Sequence, residues 1–493
     1  MVDGSTPENT PEQRAPEQAV AVPVAHARPA LSTACSLLVI AAGVPFAVLL
    51  LVERLTAVLP QVVISLSPAP QQIGRAVLAA GLAACLAAPV AGWLARVWPP
   101  WVVLVAAVLA AAAGYWLATD VSTIHGLYLV RALQGAGAGG LLAGTAALVG
   151  AASAWTRPYL AAVWAAAFVG TAAIRTRLVQ GTAGDAANRW QLRLEPVRWL
   201  LVATMLAILL LAVVSVADRR PRLFPRWVDL AALLPLLAGL AVGLLIWPDP
   251  PAPGTLALLL TLVLAGVLAA CLAGARLAPP GSRASVGSAT AAVAFASAAA
   301  VGASVTGISL IRQYTLLIRQ PVLTGPVVGA GIDDLLTVTA AVGVIGAVAG
   351  ALLPEHRRRR AILAGLPVAA VGATLLLPAS DSVGLSVPGA VLLAAGCGVA
   401  LGAVLRSVGP LATVVAGALA AVSLTAADYT RGILVGWRSP TVSGRGDIPA
   451  QFAILRDGAV AGQRWWLALL IVLLLGATAV VALALPDAGT ADH

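Results

Sequence analysis

The sequence predicts an all-α polytopic membrane protein, and three observations carry that prediction. Of 493 residues, 60% are hydrophobic and only 10% are charged, whereas charged residues make up about a quarter of an ordinary globular chain. Apolar runs of about 18 residues or more, enough to cross the hydrocarbon layer as helices, recur from end to end, and the mean hydropathy is +0.95. Tryptophans gather at the ends of these runs, among them Trp98, Trp101, Trp155, Trp199, Trp227, Trp465 and Trp466. An amphipathic indole settles at headgroup level in this way. Trp164 is the clear mid-span exception.

Taken between charged or Pro/Gly-rich breaks, the runs give about fourteen spans. The first six lie near 33–53, 75–97, 101–119, 124–150, 157–176 and 198–217. A central pair follows near 226–247 and 255–275. The last six lie near 288–313, 328–353, 361–378, 386–406, 408–429 and 464–485. The expected organisation is therefore a tail over 1–30, a six-helix bundle over 31–217 and two linker helices over 218–286. A second six-helix bundle covers 287–486, with a short tail over 487–493. Residues 1–30 are polar and proline-rich, with Glu8, Glu12 and Glu17 and no signal-peptide core. They read as a disordered tail ahead of a retained first span.

The formal net charge is +10, and every basic side chain is arginine. No basic stripe with interleaved aromatics appears, so nucleic acid is excluded as a partner. Arginines such as Arg219, Arg220, Arg222 and Arg357 to Arg360 sit in short connections on the side of both tails. The positive-inside rule makes that side cytoplasmic, in the plasma membrane. Cys35, Cys85, Cys271 and Cys397 all fall inside apolar runs, far apart, and read as packing residues rather than metal ligands or disulfides. The four histidines lie in tails or loops, and no nucleotide, zincin or nucleophile-elbow signature is present. No enzyme activity and no cofactor are expected.

One stretch bears most on function: YLVRALQGAGAGG, Tyr128 to Gly140. Its glycines follow the G-x-G-x-x-G spacing of a dinucleotide loop, which requires a strand before it and an acid about 20 residues later. The following stretch, LLAGTAALVGAASAW, is apolar, and no acid comes before Asp185. Gly135 with Gly139, and Gly140 with Gly144, are instead four apart, and so form a flat helix face for close approach of a neighbour. Arg131 then lies about two turns, ~10–12 Å, inside a membrane helix, where a guanidinium costs at least about 2.5–3.5 kcal/mol. Two readings are open to it. It faces a water-filled cavity or a carboxylate, or it snorkels to the outer headgroups.

Other charges inside or at the ends of spans are Glu53 with Arg54, Arg312, the adjacent acids Asp333 and Asp334, and Asp428. Two neighbouring carboxylates repel, which raises the pKa of one and suits proton coupling. The plain alternative is a set of helix-end charges wetted by headgroups, with Glu53 and Arg54 as a local ion pair. A faint repeat also shows. Gly92 with Leu94 after the second span, and Gly350 with Leu352 after the tenth, stand at corresponding helix ends before tight turns, as in transporters built from repeats.

The run Leu127, Arg131, Gln134, Gly135 and Gly137, L-x-x-x-R-x-x-Q-G-x-G, resembles the fourth-helix motif of the major facilitator superfamily. Fourteen spans with a central pair resemble its drug:proton antiporter branch of the QacA/EmrB type. The resemblance implies the major facilitator fold and associates Arg131 with proton transfer. The family's gate loop is degenerate here: Gly92, Leu94 and Ala95 remain, with Arg96 in place of the aspartate. The second copy keeps Gly350, Leu352 and arginines including Arg358, with Glu355 near the acidic position. The fifth-helix Gly-Pro motif is absent from AAAFVGTAAIRTRL.

The resemblance implies a proton-coupled secondary transporter working by alternating access, with protons and membrane lipids as partners. Walls rich in alanine, valine and leucine suit export of a lipophilic or amphipathic compound, drug-like or lipid. The alternative is a non-transporting scaffold or assembly subunit that keeps the fold and has lost proton coupling. The segment 430–463, with Trp437, Ile448, Phe452 and Leu455 among arginines, reads as a long external connection, solvated or lying on the outer leaflet.

Overall fold

The computed structural model describes residues 24–52, 62, 65–66, 70–180, 198–215, 227–246, 253–319, 330–378, 383–406, 408–438 and 448–485. Among these the chain is helical and without strands. The first bundle comprises α1 (Val24–Leu50), α2 (Pro70–Val97), α3 (Pro100–Ala118), α4 (Ile124–Ala151), α5 (Arg157–Gln180) and α6 (Arg198–Ser215). A 3-10 turn (Trp227–Leu233) leads into α7 (Leu234–Ile246), and α8 (Pro253–Leu277) completes the central pair. The second bundle comprises α9 (Arg283–Arg319), α10 (Ala330–Leu352), α11 (Arg358–Leu376), α12 (Val383–Leu405), α13 (Pro410–Arg438) and α14 (Ile448–Ala484). Thirteen of the described helices are long and apolar enough to cross a membrane, and the shorter apolar helix Leu230–Leu245 adds one more. The face holding the start of α1 and the end of α14 is called the tail face below, and its opposite the far face.

Local chemistry sets the helix starts. Pro70, Pro100, Pro253 and Pro410 open α2, α3, α8 and α13, where the missing N–H of proline is no loss. Thr123 caps α4, its hydroxyl accepting the Gly126 amide at 3.1 Å, which satisfies one of the free first-turn donors. Large apolar side chains that face outward, such as Leu209 and Val213 on α6 or Leu258 and Leu262 on α8, are the lipid-facing surface.

Glycine faces build both bundles in the same way. On α4, a Cβ at Gly139 would stand 2.6 Å from the Ala84 carbonyl of α2. On its other side, a Cβ at Gly137 would stand 2.7 Å from the Ala111 methyl of α3. α4 is therefore wedged between α2 and α3 at backbone contact distance. In the second bundle, Gly398 and Gly402 of α12 meet the backbone of α10, and Gly396 meets that of α11. The trio α2, α3, α4 thus has its counterpart in α10, α11, α12. This supplies packing evidence for the repeat that the Gly92 and Gly350 positions hint at. In membranes, where lipid and side chain are equally apolar, such close approach supplies the van der Waals drive for association.

The bundles meet along two seams. On one, α2 and α4 lie against α13; on the other, α5 lies against α10 and α12. The central pair divides its contacts: α7 packs on α2, while α8 packs on α9, α13 and α14. It thereby lies beside the α2–α13 seam.

Three helices run past their expected ends. α9 and α14 each have 37 residues, and α13 continues to Arg438. The segment 430–463 is therefore largely helix, with 439–447 outside the described residues. Trp465 and Trp466 lie within α14 rather than at its end, and Trp466 is fully buried. Hydropathy marks where the bilayer ends, but Ala, Arg, Gln and Leu are all good helix formers, so backbone hydrogen bonding continues beyond it.

Candidate functional site: buried charges in the bundle interior

Arg131 is 2% exposed, so it does not snorkel. Its Nη1 donates to the Gln134 side-chain oxygen at 3.1 Å, one turn along α4. Its Nε, also buried, has no hydrogen-bond partner. Residues seven apart on a helix stand nearly in line, so Arg131, Ala138 and Thr145 share one stripe of α4. The end of that stripe fixes its direction. Thr145 accepts the Trp164 indole N–H of α5 at 3.1 Å while donating to the Leu141 carbonyl at 2.7 Å. A Cβ at Gly43 of α1 would meet the methyls of Thr145 and of Thr204 from α6. The stripe therefore ends in the core of the first bundle, among α1, α5 and α6. Trp164 is stacked on Phe168 with centroids 5.4 Å apart and planes 4° from parallel, giving a flat aromatic wall at mid-depth.

A second buried guanidinium lies in α5, near the far face. Arg175 is 2% exposed and bridges the bundles. Its Nη2 donates to Asp428 Oδ1 of α13 at 2.5 Å and to the Gly302 carbonyl of α9 at 2.7 Å. Nearby, the Tyr429 hydroxyl donates to the Leu78 carbonyl of α2 at 2.7 Å, a second polar bridge between bundles. The tail face is closed differently. Gly150 of α4 lies against Pro410 and Thr413 of α13, Gly417 against Ala146, and Gly92 against Val414.

The remaining sequence-predicted positions divide. Gln134, Gly135 and Gly137 join Arg131 on α4, the first as its hydrogen-bond partner and the glycines as contacts to α2 and α3. Gly92 lies on the seam with α13, whereas its counterpart Gly350 faces Val399 of α12 within its own bundle. The two gate positions are thus alike in sequence but not in packing. Arg96 is half-buried at the end of α2, Glu355 is exposed, and Arg358 is half-buried at the start of α11. Arg406, just past the end of α12, donates to the Leu353 carbonyl and, at 3.4 Å, to that of Ala351, holding the end of α10. Asp334 is exposed at the far end of α10. Glu53 and the Asp333 side chain lie outside the described residues. All four cysteines are free and buried.

Sequence reading missed Arg175. Its signal was present, an arginine inside the apolar run AAAFVGTAAIRTRL, but its partner is 253 positions away. No spacing rule links the two.

The architecture is the major facilitator fold. The human organic anion transporter MFSD10 (TETRAN) is similar in structure, with a TM-score of 0.55 and 13% identity, covering 91% of this chain and 99% of that one. The proton:xylose symporter XylE, bound to 6-bromo-6-deoxy-D-glucose, is similar with a TM-score of 0.53 and 13% identity, covering 90% of this chain and 95% of that one. No protein-family model matches the sequence, and no curated protein matches it.

Proposed function

We propose that this chain is a secondary transporter of the major facilitator type. It exports a lipophilic or amphipathic compound across the plasma membrane, with both tails cytoplasmic. It is driven by protons and resembles the 14-span drug:proton antiporters. The bundle over 31–217 rocks against that over 287–486, and 218–286 links them. The observation that carries this reading is Arg131, a guanidinium buried within a membrane helix of the first bundle with a neutral amide as its partner. An intramembrane charge is costly and marks a substrate or proton path by default; a scaffold has no use for it. The narrow seams of small residues, crossed by few polar bridges, are of the kind that two rocking bodies break and remake.

The test is transport by the full chain in proteoliposomes under an imposed pH gradient, with a panel of lipophilic cations, amphipathic anions, antibiotics and fluorescent lipids. Gradient-dependent movement of at least one member is expected. If no member moves, the transporter reading falls and the scaffold stands. Arg131→Ala is expected to lower the rate at least tenfold; an unchanged rate removes Arg131 from the path.

A further inference from the structure

We infer that Arg131 is the headgroup site for an anionic amphipath, so that the transported class carries a carboxylate, sulfonate or phosphate. The inference deepens the transporter reading and rests on it. Among the described residues, two arginines are almost wholly buried, Arg131 and Arg175. They differ in compensation. Arg175 has the Asp428 carboxylate at 2.5 Å. Arg131 has, among the described residues, no carboxylate but the neutral Gln134 oxygen at 3.1 Å. A neutral amide satisfies one N–H and leaves the formal charge unbalanced. Guanidinium offers five N–H donors in a planar fork that matches an oxyanion in pairs. One donor is engaged by Gln134. The chemistry that completes the site is a negatively charged oxygen group.

What lies beyond Arg131 on its stripe fits the rest of such a molecule. Ala138 is one heptad away and Thr145 two, about 10 and 20 Å along the helix. Between them stand small or apolar side chains, and at the end the stacked Trp164 and Phe168. Arg131, small apolar side chains and an aromatic pair thus follow one another along α4, all buried in the conformation described. A lipophilic cation would meet an unbalanced positive charge at the same place and be repelled. In the conformation described, Arg131 is sealed from solvent, so the anion reaches it only when the bundles part at the far face.

The experiment is counterflow exchange of radiolabelled taurocholate, a sulfonated amphipath, by the full chain in proteoliposomes, with radiolabelled tetraphenylphosphonium in parallel. Wild type is expected to exchange taurocholate, with decanesulfonate inhibiting and decyltrimethylammonium not. Arg131→Gln is expected to lower taurocholate exchange at least tenfold. Arg131→Lys, which keeps the charge but not the fork, is expected to retain exchange with a raised half-saturation concentration. Exchange of tetraphenylphosphonium without taurocholate overturns the anion site and leaves the transporter reading intact. So does taurocholate exchange that is equal in wild type and Arg131→Gln. Exchange of neither probe overturns the anion site, and the wider panel above then decides the transporter reading separately. If Arg131→Gln fails to fold, the wild-type inhibition by decanesulfonate against decyltrimethylammonium still decides.

Discussion

Arg175 and Asp428 show what a single charge pair does in a chain with so few. Both are needed at full charge for the bond, and removing one leaves the other stranded, which in a buried setting costs about 3–5 kcal/mol. The Gly302 carbonyl on Nη2 adds geometry that lysine does not reproduce. Arg175→Ala and Asp428→Asn are each expected to destabilise the detergent-solubilised protein in a thermal unfolding assay, and Arg175→Lys to recover only part of the loss. The double variant Arg175→Ala with Asp428→Asn is expected to be more stable than either single change, because no orphan charge remains. Additive losses would show that the pair contributes through packing alone.

The helices divide into those that touch backbone to backbone and those that touch lipid, and glycine substitutions report the difference. Gly135 and Gly139 of α4 lie directly on α2, so a methyl group at either position has nowhere to go without moving a helix. Gly266 of α8 has nothing within 4 Å. Gly139→Ala is expected to destabilise by about 1–3 kcal/mol through overpacking, and Gly266→Ala to be neutral or slightly stabilising, both read by thermal unfolding. This was largely legible in the sequence, since spacings of four along α4 announce a flat face from local information. The helix extensions of α9, α13 and α14 were less so. Hydropathy falls at the edge of an apolar run while the helix does not, so run boundaries understate helix length. The Arg175–Asp428 bond was not legible at all, because it depends on two bundles being side by side. For Arg131 the sequence left burial and snorkelling both open; the fold shows it buried, with a neutral partner.

At the scale of the whole molecule, contacts between bundles hold both faces at once. The tail face has Gly150 against Pro410 and Thr413, and the far face has Arg175 and Tyr429 reaching across. If the bundles rock, one of these sets must release while the other holds. Cysteines placed at Gly150 and Thr413, in a background lacking the four native cysteines, are expected to cross-link on oxidation and arrest exchange, with reduction restoring it. Exchange undiminished by complete cross-linking would mean that the tail face never opens.

The far-face clasp gives the two ends of the protein different sensitivities. A bond between opposite charges, with the Asp428 side chain 25% exposed, responds to ionic strength. The tail-face contacts of Gly150, Gly417 and Gly92 with Pro410, Thr413, Ala146 and Val414 carry no charge to screen. They respond instead to bilayer thickness and to the sideways squeeze of lipid on packed helices. The far mouth is thus tuned by the aqueous phase and the tail mouth by the membrane itself. If the bundles rock, a change in lipid composition would act on the tail mouth and leave the far-face clasp untouched, with no residue altered.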